Sequence, residues 1–189
     1  MNKTNMVAES TARAIGCLDP KSRVYAASMA RLRRGVGKQL SEAPEAWGVV
    51  LPFIPDELLS TSYDGFRETE AESAIFNALT LYSIHQQGSD INVNVSGTSF
   101  GSAVGKLRNS TNEDAITRRF NAVITASEMT ELAYHARGLI QLMKASDKSI
   151  GMDYPQFAKD LYNFQYPDGR RNVILRWGQD FYRINKDDE

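Results

Sequence analysis

The sequence predicts an all-α protein: a compact bundle of about seven to nine helices, with two small helical lobes as a variant of the same plan. Three observations carry this. Apolar residues recur at three- and four-residue spacing along nearly the whole chain, which is the period of a helix with one buried face. Glycine and proline fall where such segments would end, at Gly35, Gly37, Pro52, Pro55, Gly88 and Pro167. Only one run, SDINVNVSGT at 89–98, is polar and β-branched enough to read as a loop or a short strand. A chain of 189 residues with 42% hydrophobic and 24% charged residues can bury a proper core, so disorder throughout is not expected. It is read as one domain, 1–189, with a candidate lobe boundary at 89–98.

The elements follow in order. The first 18 residues read as a weak helix with a frayed start. Asp19-Pro20 offers an N-cap acid followed by proline, so a helix is expected from there to Gly35. A shorter helix is expected over 42–50, then a loop over 59–66. Residues 68–87 read as a long helix with acids in its first turns, where they suit the helix dipole. Ser99 is the candidate cap of a helix reaching Arg108, and Asn112 of one over 113–125. Ser127 and Glu128 open the next, to Ala145, with Met129, Leu132, Ala136, Leu139 and Met143 as its core stripe. Asp153 and Pro155 start a helix to Gln165. The last runs from Arg170 to Ile184, with Ile174, Trp177, Phe181 and Ile184 on one face, and 186–189 should fray.

Several function classes lose support on counting. One cysteine, Cys17, allows no internal disulfide, and two distant histidines, His85 and His135, cannot build a Cys/His zinc site. No run nears the ~20 apolar residues of a membrane span, and no apolar signal core precedes Cys17. Neither histidine sits in a nucleophile or metal motif, so both read as structural or surface residues. The segment GSAVGKL (101–107) is not a phosphate loop: three residues separate its glycines where four are needed, and Leu107 follows Lys106 where Ser or Thr is required. Its glycines read as sites of close helix packing.

Charge is the informative signal. The net charge is -1, yet KSRVYAASMARLRRGVGK (21–38) has six basic residues and no acid. On a helix Arg23, Arg31, Arg34 and Lys38 share one arc, opposite Tyr25, Met29, Leu32 and Val36. Such an uncompensated cationic stripe suits a phosphate backbone. By contrast, 42–72 holds eight acids and one base, Arg67, so a basic side and an acidic side are expected. In ITRRFNAVITA the apolar residues point inward and leave Arg118 and Arg119 outside. Arg118 has Asp114 one turn earlier as a local partner, and Arg119 has none. A third stripe, Tyr134, Arg137, Gln141 and Lys144, lies opposite the Met129–Met143 face. Arginine offers bidentate phosphate contacts there, and tyrosine and glutamine neutral hydrogen bonds.

Six segments then add up to a resemblance. RLRRG (31–35), LTLYSIHQQG (79–88), SFGSAVGKLR (99–108), RRFNAVITA (118–126), LAYHARGLIQLM (132–143) and ILRWGQDFYR (174–183) occur in this order. In them the chain resembles the CasB family, the small subunit of the type I-E CRISPR Cascade complex. The resemblance implies an all-α, non-catalytic protein of the prokaryotic cytoplasm, with no cofactor, metal or membrane partner. Two copies would pack head to tail among the other Cascade subunits. They would touch the guide RNA and both strands of the target DNA through their backbones, and hold the displaced strand of the R-loop. The family's nucleic-acid-facing positions match RLRRG, Arg118-Arg119 and Arg137. With the neighbouring bases, the candidate nucleic-acid-binding residues are Arg31, Arg33, Arg34, Lys38, Lys106, Arg108, Arg118, Arg119, Arg137 and Lys144. The neutral-to-acidic total and the acidic 42–72 stretch depart from the expected basic character. Two other readings stand beside this one: a stand-alone helical DNA-binding regulator, and a metal-dependent nuclease using carboxylates between Glu57 and Glu72.

Overall fold

The computed structural model describes residues 2–61, 65–146 and 149–183. The fold is all-α, as expected. Among the described residues there are nine α-helices: α1 (Lys3–Cys17), α2 (Tyr25–Arg34), α3 (Trp47–Val50), α4 (Glu70–His85), α5 (Phe100–Gly105), α6 (Glu113–Thr125), α7 (Met129–Ala145), α8 (Tyr154–Phe164) and α9 (Pro167–Arg183). Among the described residues, extended pairing is limited to one isolated bridge, between Asn94 of the 89–98 loop and Met152. The chain divides into two compact units, Met1–Ser83 with Tyr154–Tyr162, and Ile84–Asp153 with Asn163–Glu189.

In the first unit, α1 is firmer than expected. Asn2 caps it by accepting from the Thr4 amide at 3.1 Å, and Val7, Ser10, Thr11, Ala14 and Ile15 are buried. Two hydroxyl residues on the inward face hide its stripe from a hydropathy reading; Thr11 donates to the Val7 carbonyl at 3.0 Å, which makes its burial affordable. The expected cap at Asp19 does not start α2. Asp19 Oδ1 accepts from the Lys21 amide two residues on, a local turn that competes with helix entry, and α2 begins at Tyr25. Arg23 is therefore outside the helix. Gly37, at φ +78°, turns the chain away beyond its end.

The single helix expected over 42–50 is instead a series of 3₁₀ turns around the one-turn α3, at Leu40–Glu42, Pro44–Ala46, Leu51–Phe53 and Asp56–Leu58. Pro44, Pro52 and Pro55 each remove a backbone donor and prevent a continuous ladder. At the start of α4, the Thr69 amide donates to Glu72 Oε2 at 2.8 Å and the Glu72 amide to Thr69 Oγ1 at 3.1 Å, a reciprocal capping box. Glu72 is 4% exposed and also accepts from the Ser60 amide. Of the loop read at 59–66, residues 62–64 lie outside the described residues.

In the second unit, Ser99 caps α5 by accepting from the Ser102 amide at 3.1 Å. The helix stops at Gly105, short of Arg108. Gly101 is a packing glycine: a Cβ there would lie 2.1 Å from the Trp177 carbonyl oxygen of α9. The core of this unit is aromatic. Phe100 meets Trp177 at 4.9 Å between ring centres, and Phe120 stacks on Phe181 at 4.2 Å. α6 has the expected bounds, though Asn112 turns its side chain back to the Asn109 amide and the Leu107 carbonyl rather than onto the helix. Helix α9 starts at Pro167, three residues earlier than expected, because proline suits the first helical position. Its buried residues are Val173, Trp177 and Phe181; Ile174, expected in the core, is only half-buried. Ile184 and the 186–189 tail lie outside the described residues.

Candidate nucleic-acid interface

Helices α6 and α7 pack side by side within the second unit, and a groove of about 640 Å³ opens along them. Its lining brings the second and third predicted stripes together: Arg118 and Arg119 from α6, and Tyr134, Arg137 and Gln141 from α7. The local reason is the same on both helices. Ile116, Phe120 and Val123 of α6, and Leu132, Ala136, Leu139 and Met143 of α7, are buried and fix the rotation of each helix. The residues off those stripes must then face water.

The charge in the groove is one-sided. Among the described residues, three guanidinium groups and His135 line it, and no Asp or Glu does. Arg118 Nε donates to the Asp114 backbone carbonyl at 3.3 Å, so the expected local pairing runs through the peptide and not the carboxylate. Arg119 reaches across toward α7, where its Nη1 lies 3.8 Å from the position a Cβ would take on Gly138. Three small residues, Ala115, Ala122 and Gly138, keep the groove open. Sequence reading passed over them; their only signal was spacing on the same helical faces as the arginines. His135, read as structural or surface, lines the groove with its ring 5.3 Å from Tyr134.

Other candidates stand elsewhere. Lys144 is exposed at the end of α7 and donates to Gln87 Oε1 at 3.2 Å. Lys106 is exposed just after α5. In the first unit, Met29 and Leu32 of α2 are buried, which leaves Arg31 and Arg34 exposed and Arg33 half-buried, while Lys38 is exposed past the helix end. Arg34 lies 3.9 Å from Glu45, so among the described residues the stripe has an acid against it.

Arg108 is a correction. It is 6% exposed and points inward. Its Nη2 donates to the Phe181 carbonyl at 2.6 Å, its Nη1 to Glu113 Oε1 at 3.2 Å, and its guanidinium lies 4.3 Å from the centre of the Phe181 ring. A cation held this way closes the C-terminal turn of α9 and cannot reach a phosphate on the surface. His85 is likewise internal. Burial is the main cause that lowers its pKa to about 4, a hydrogen bond to the Ile150 backbone opposes this, and the nearby Lys144 charge adds to it. Of the carboxylates between Glu57 and Glu72, Asp64 lies outside the described residues, Glu72 is committed to the α4 cap, and Glu68 accepts from the Leu40 amide at 2.9 Å. Among the described residues no cluster of three or more His, Cys, Asp or Glu could hold a metal ion, and no helix is long and apolar enough to cross a membrane.

Comparison with known proteins adds the family. The profile of CRISPR-associated protein Cse2 matches residues 28–182. The crystal structure of CasB from Thermobifida fusca is similar over 96% of this chain and 99% of that one, at 29% identity and a TM-score of 0.76. CasB of M. ruber is similar over 95% of each chain, at 23% identity and a TM-score of 0.70. A chain of a CRISPR RNA-guided surveillance complex is similar over the full length of both, at 18% identity and a TM-score of 0.69. At such identities the last two show a shared fold. No curated protein matches the chain. The match over most of its length shows that the chain belongs to the Cse2 family of CRISPR-associated proteins.

Proposed function

We propose that the protein is a non-catalytic small subunit of a type I-E Cascade complex, working in the prokaryotic cytoplasm, and that the α6–α7 groove binds the sugar-phosphate backbone of a nucleic-acid strand. The observation that carries this is the convergence of Arg118, Arg119 and Arg137 on one open groove with no carboxylate among the described residues of its lining. Family membership and the likeness to a chain of an RNA-guided surveillance complex support the setting. In that setting the partners are the other Cascade subunits, a second copy of this chain, the guide RNA and the target DNA. Base pairing with the guide supplies sequence recognition, so a subunit that contacts only backbones is sufficient. The exchange of duplex for heteroduplex is nearly balanced in free energy. A few phosphate contacts on the displaced strand therefore shift the equilibrium toward the open R-loop. Arg31 and Arg33 of α2, with Lys38, Lys106 and Lys144, are proposed as accessory contacts.

The test uses the assembled complex and the triple substitution Arg118→Glu, Arg119→Glu, Arg137→Glu. Each lost single-strand phosphate contact flattens the dependence of log K on log salt by about 0.7, so three lost contacts should flatten it by about 2. R-loop lifetime at physiological salt should fall while helicity and assembly stay normal. An unchanged lifetime and slope in a normally assembled complex would overturn the proposal. Sequence-specific binding of duplex DNA by the isolated chain would point to a stand-alone regulator.

A further inference from the structure

The groove contains a feature that phosphate contacts leave unexplained. Tyr134 is 71% exposed at its wall, the ring held edge-on against His135. A large aromatic ring so open to water gains little from the fold. One helical turn further on, the position that would flank the ring is Gly138, also in the groove lining. Glycine in a helix interior is destabilising by about 1 kcal/mol relative to alanine. Packing does not demand it here: a Cβ at 138 would make only an ordinary contact, 3.8 Å, with the mobile end of Arg119. This differs from Gly101, where a Cβ would collide with the Trp177 backbone. Gly138 therefore leaves space that the protein itself does not use, beside an exposed ring and between arginines of two helices.

We propose that Tyr134 is a stacking platform for an unpaired base, with Gly138 leaving room for that base and Arg119 and Arg137 holding the flanking phosphates. The proposal rests on the groove being a nucleic-acid site, and it deepens that reading by naming the ligand as a single strand whose bases are free to stack. A duplex keeps its bases stacked on each other and cannot offer one to the ring. Stacking on an aromatic side chain is tolerant of sequence, since every base has a π-face. It is therefore compatible with a subunit that reads no sequence.

The experiment compares a dT oligonucleotide with an abasic strand of the same length and charge, on the full chain and on the assembled complex. Wild type should bind dT more tightly than the abasic strand by about 5- to 150-fold, the range expected for one stacked base. Tyr134→Ala should remove that preference and leave the salt slope unchanged, because no phosphate contact is lost. Tyr134→Phe should keep the preference, which separates the ring from the hydroxyl. Gly138→Leu, which fills the space without breaking the helix, should weaken dT and spare the abasic strand. Equal binding of the two strands by wild type, or an equal loss on both in Tyr134→Ala, would overturn the stacking role. If the triple arginine variant binds both strands as wild type does, the groove reading itself has failed.

Discussion

Arg108 offers the sharpest test of the distinction between a cation that binds phosphate and one that holds the fold together. Its guanidinium is almost wholly buried, donates to the Phe181 carbonyl at 2.6 Å and lies against the Phe181 ring. A hydrogen bond from a charged donor is worth about 1.5–3 kcal/mol, and a desolvated cation–π contact about 2 kcal/mol or more. The pair with Glu113, whose side chain is 54% exposed, adds at most ~1 kcal/mol. Against these stands the desolvation of the charge, including Nε, which is buried without a partner. Arg108→Ala should therefore destabilise the protein by about 3 kcal/mol, through the orphaned Phe181 carbonyl and the space left beside its ring. Glu113 can rehydrate, so it adds little to the loss. Arg108→Met keeps most of the apolar contact and removes the unpartnered Nε, and should lose roughly half as much. With urea m-values of about 1–3 kcal/mol/M, the alanine midpoint should fall by about 1–3 M. The folded fraction of either variant should bind a nucleic-acid strand with the wild-type salt slope. A midpoint shift below ~0.2 M, or a slope flattened by about 0.7, would refute the reasoning.

Three further outcomes follow from the same geometry. His85 has a pKa of about 4 in the fold and an ordinary value near 6.5 in the unfolded chain, so the unfolded state binds the proton first. Stability from neutral His85 is present above pH ~6.5 and falls by about 3 kcal/mol as pH drops to 4; denaturation curves across that window should flatten in His85→Phe, and an unchanged pH slope would count against it. Gly101→Ala should destabilise by at least 1–3 kcal/mol through collision with the Trp177 carbonyl. Gly178→Ala, where no atom lies within 4 Å, should stabilise α9 by up to about 1 kcal/mol, and thermal melts of the pair check both signs. Glu72→Ala should lower stability by about 1–3 kcal/mol through loss of the α4 capping box and of a buried acceptor, with no magnesium dependence in wild type to lose.

Helices with a clean apolar stripe were legible in the sequence, and those with mixed inward faces were not. The bounds of α6 follow from Ile116, Phe120 and Val123 recurring behind two acids. Helix α1 was underestimated because Ser10 and Thr11 sit on its buried face, where their hydroxyls are satisfied or enclosed by the fold in ways composition does not reveal. The α2 start was misplaced because Asp19 can cap a helix or close a turn, and both begin with the same dipeptide. The same limit applies to charge. Counting marks Arg108 and Arg119 alike, since burial of a guanidinium depends on a carbonyl 73 residues away in sequence. The arginine stripes on α6 and α7 were each visible, but their meeting in one groove is a product of helix packing, and Gly138 has no meaning until that groove exists.

A protein with net charge -1 is an unpromising ligand for a polyanion if total charge decides binding. On the proposed reading it does not decide. The first unit carries ten basic and eleven acidic residues and the second twelve of each, so neither unit is basic as a whole and the expected division into a basic and an acidic side does not follow the units. Charges in water are screened beyond about 8–10 Å at physiological salt. A phosphate in the proposed α6–α7 site would therefore be governed by the lining, whose described residues include three arginines and no acid. Gln141 tests this directly, because it lies in that lining and is exposed. Gln141→Lys adds one positive charge and should steepen the log–log salt dependence of single-strand binding by about 0.7, where Gln141→Glu should weaken binding without a compensating change in the fold. Lys3→Gln and Glu9→Gln change the total charge by the same single unit at exposed positions of α1, outside the groove lining. If those two move the affinity as far as the Gln141 pair does, net charge governs binding and the groove has no special place in it.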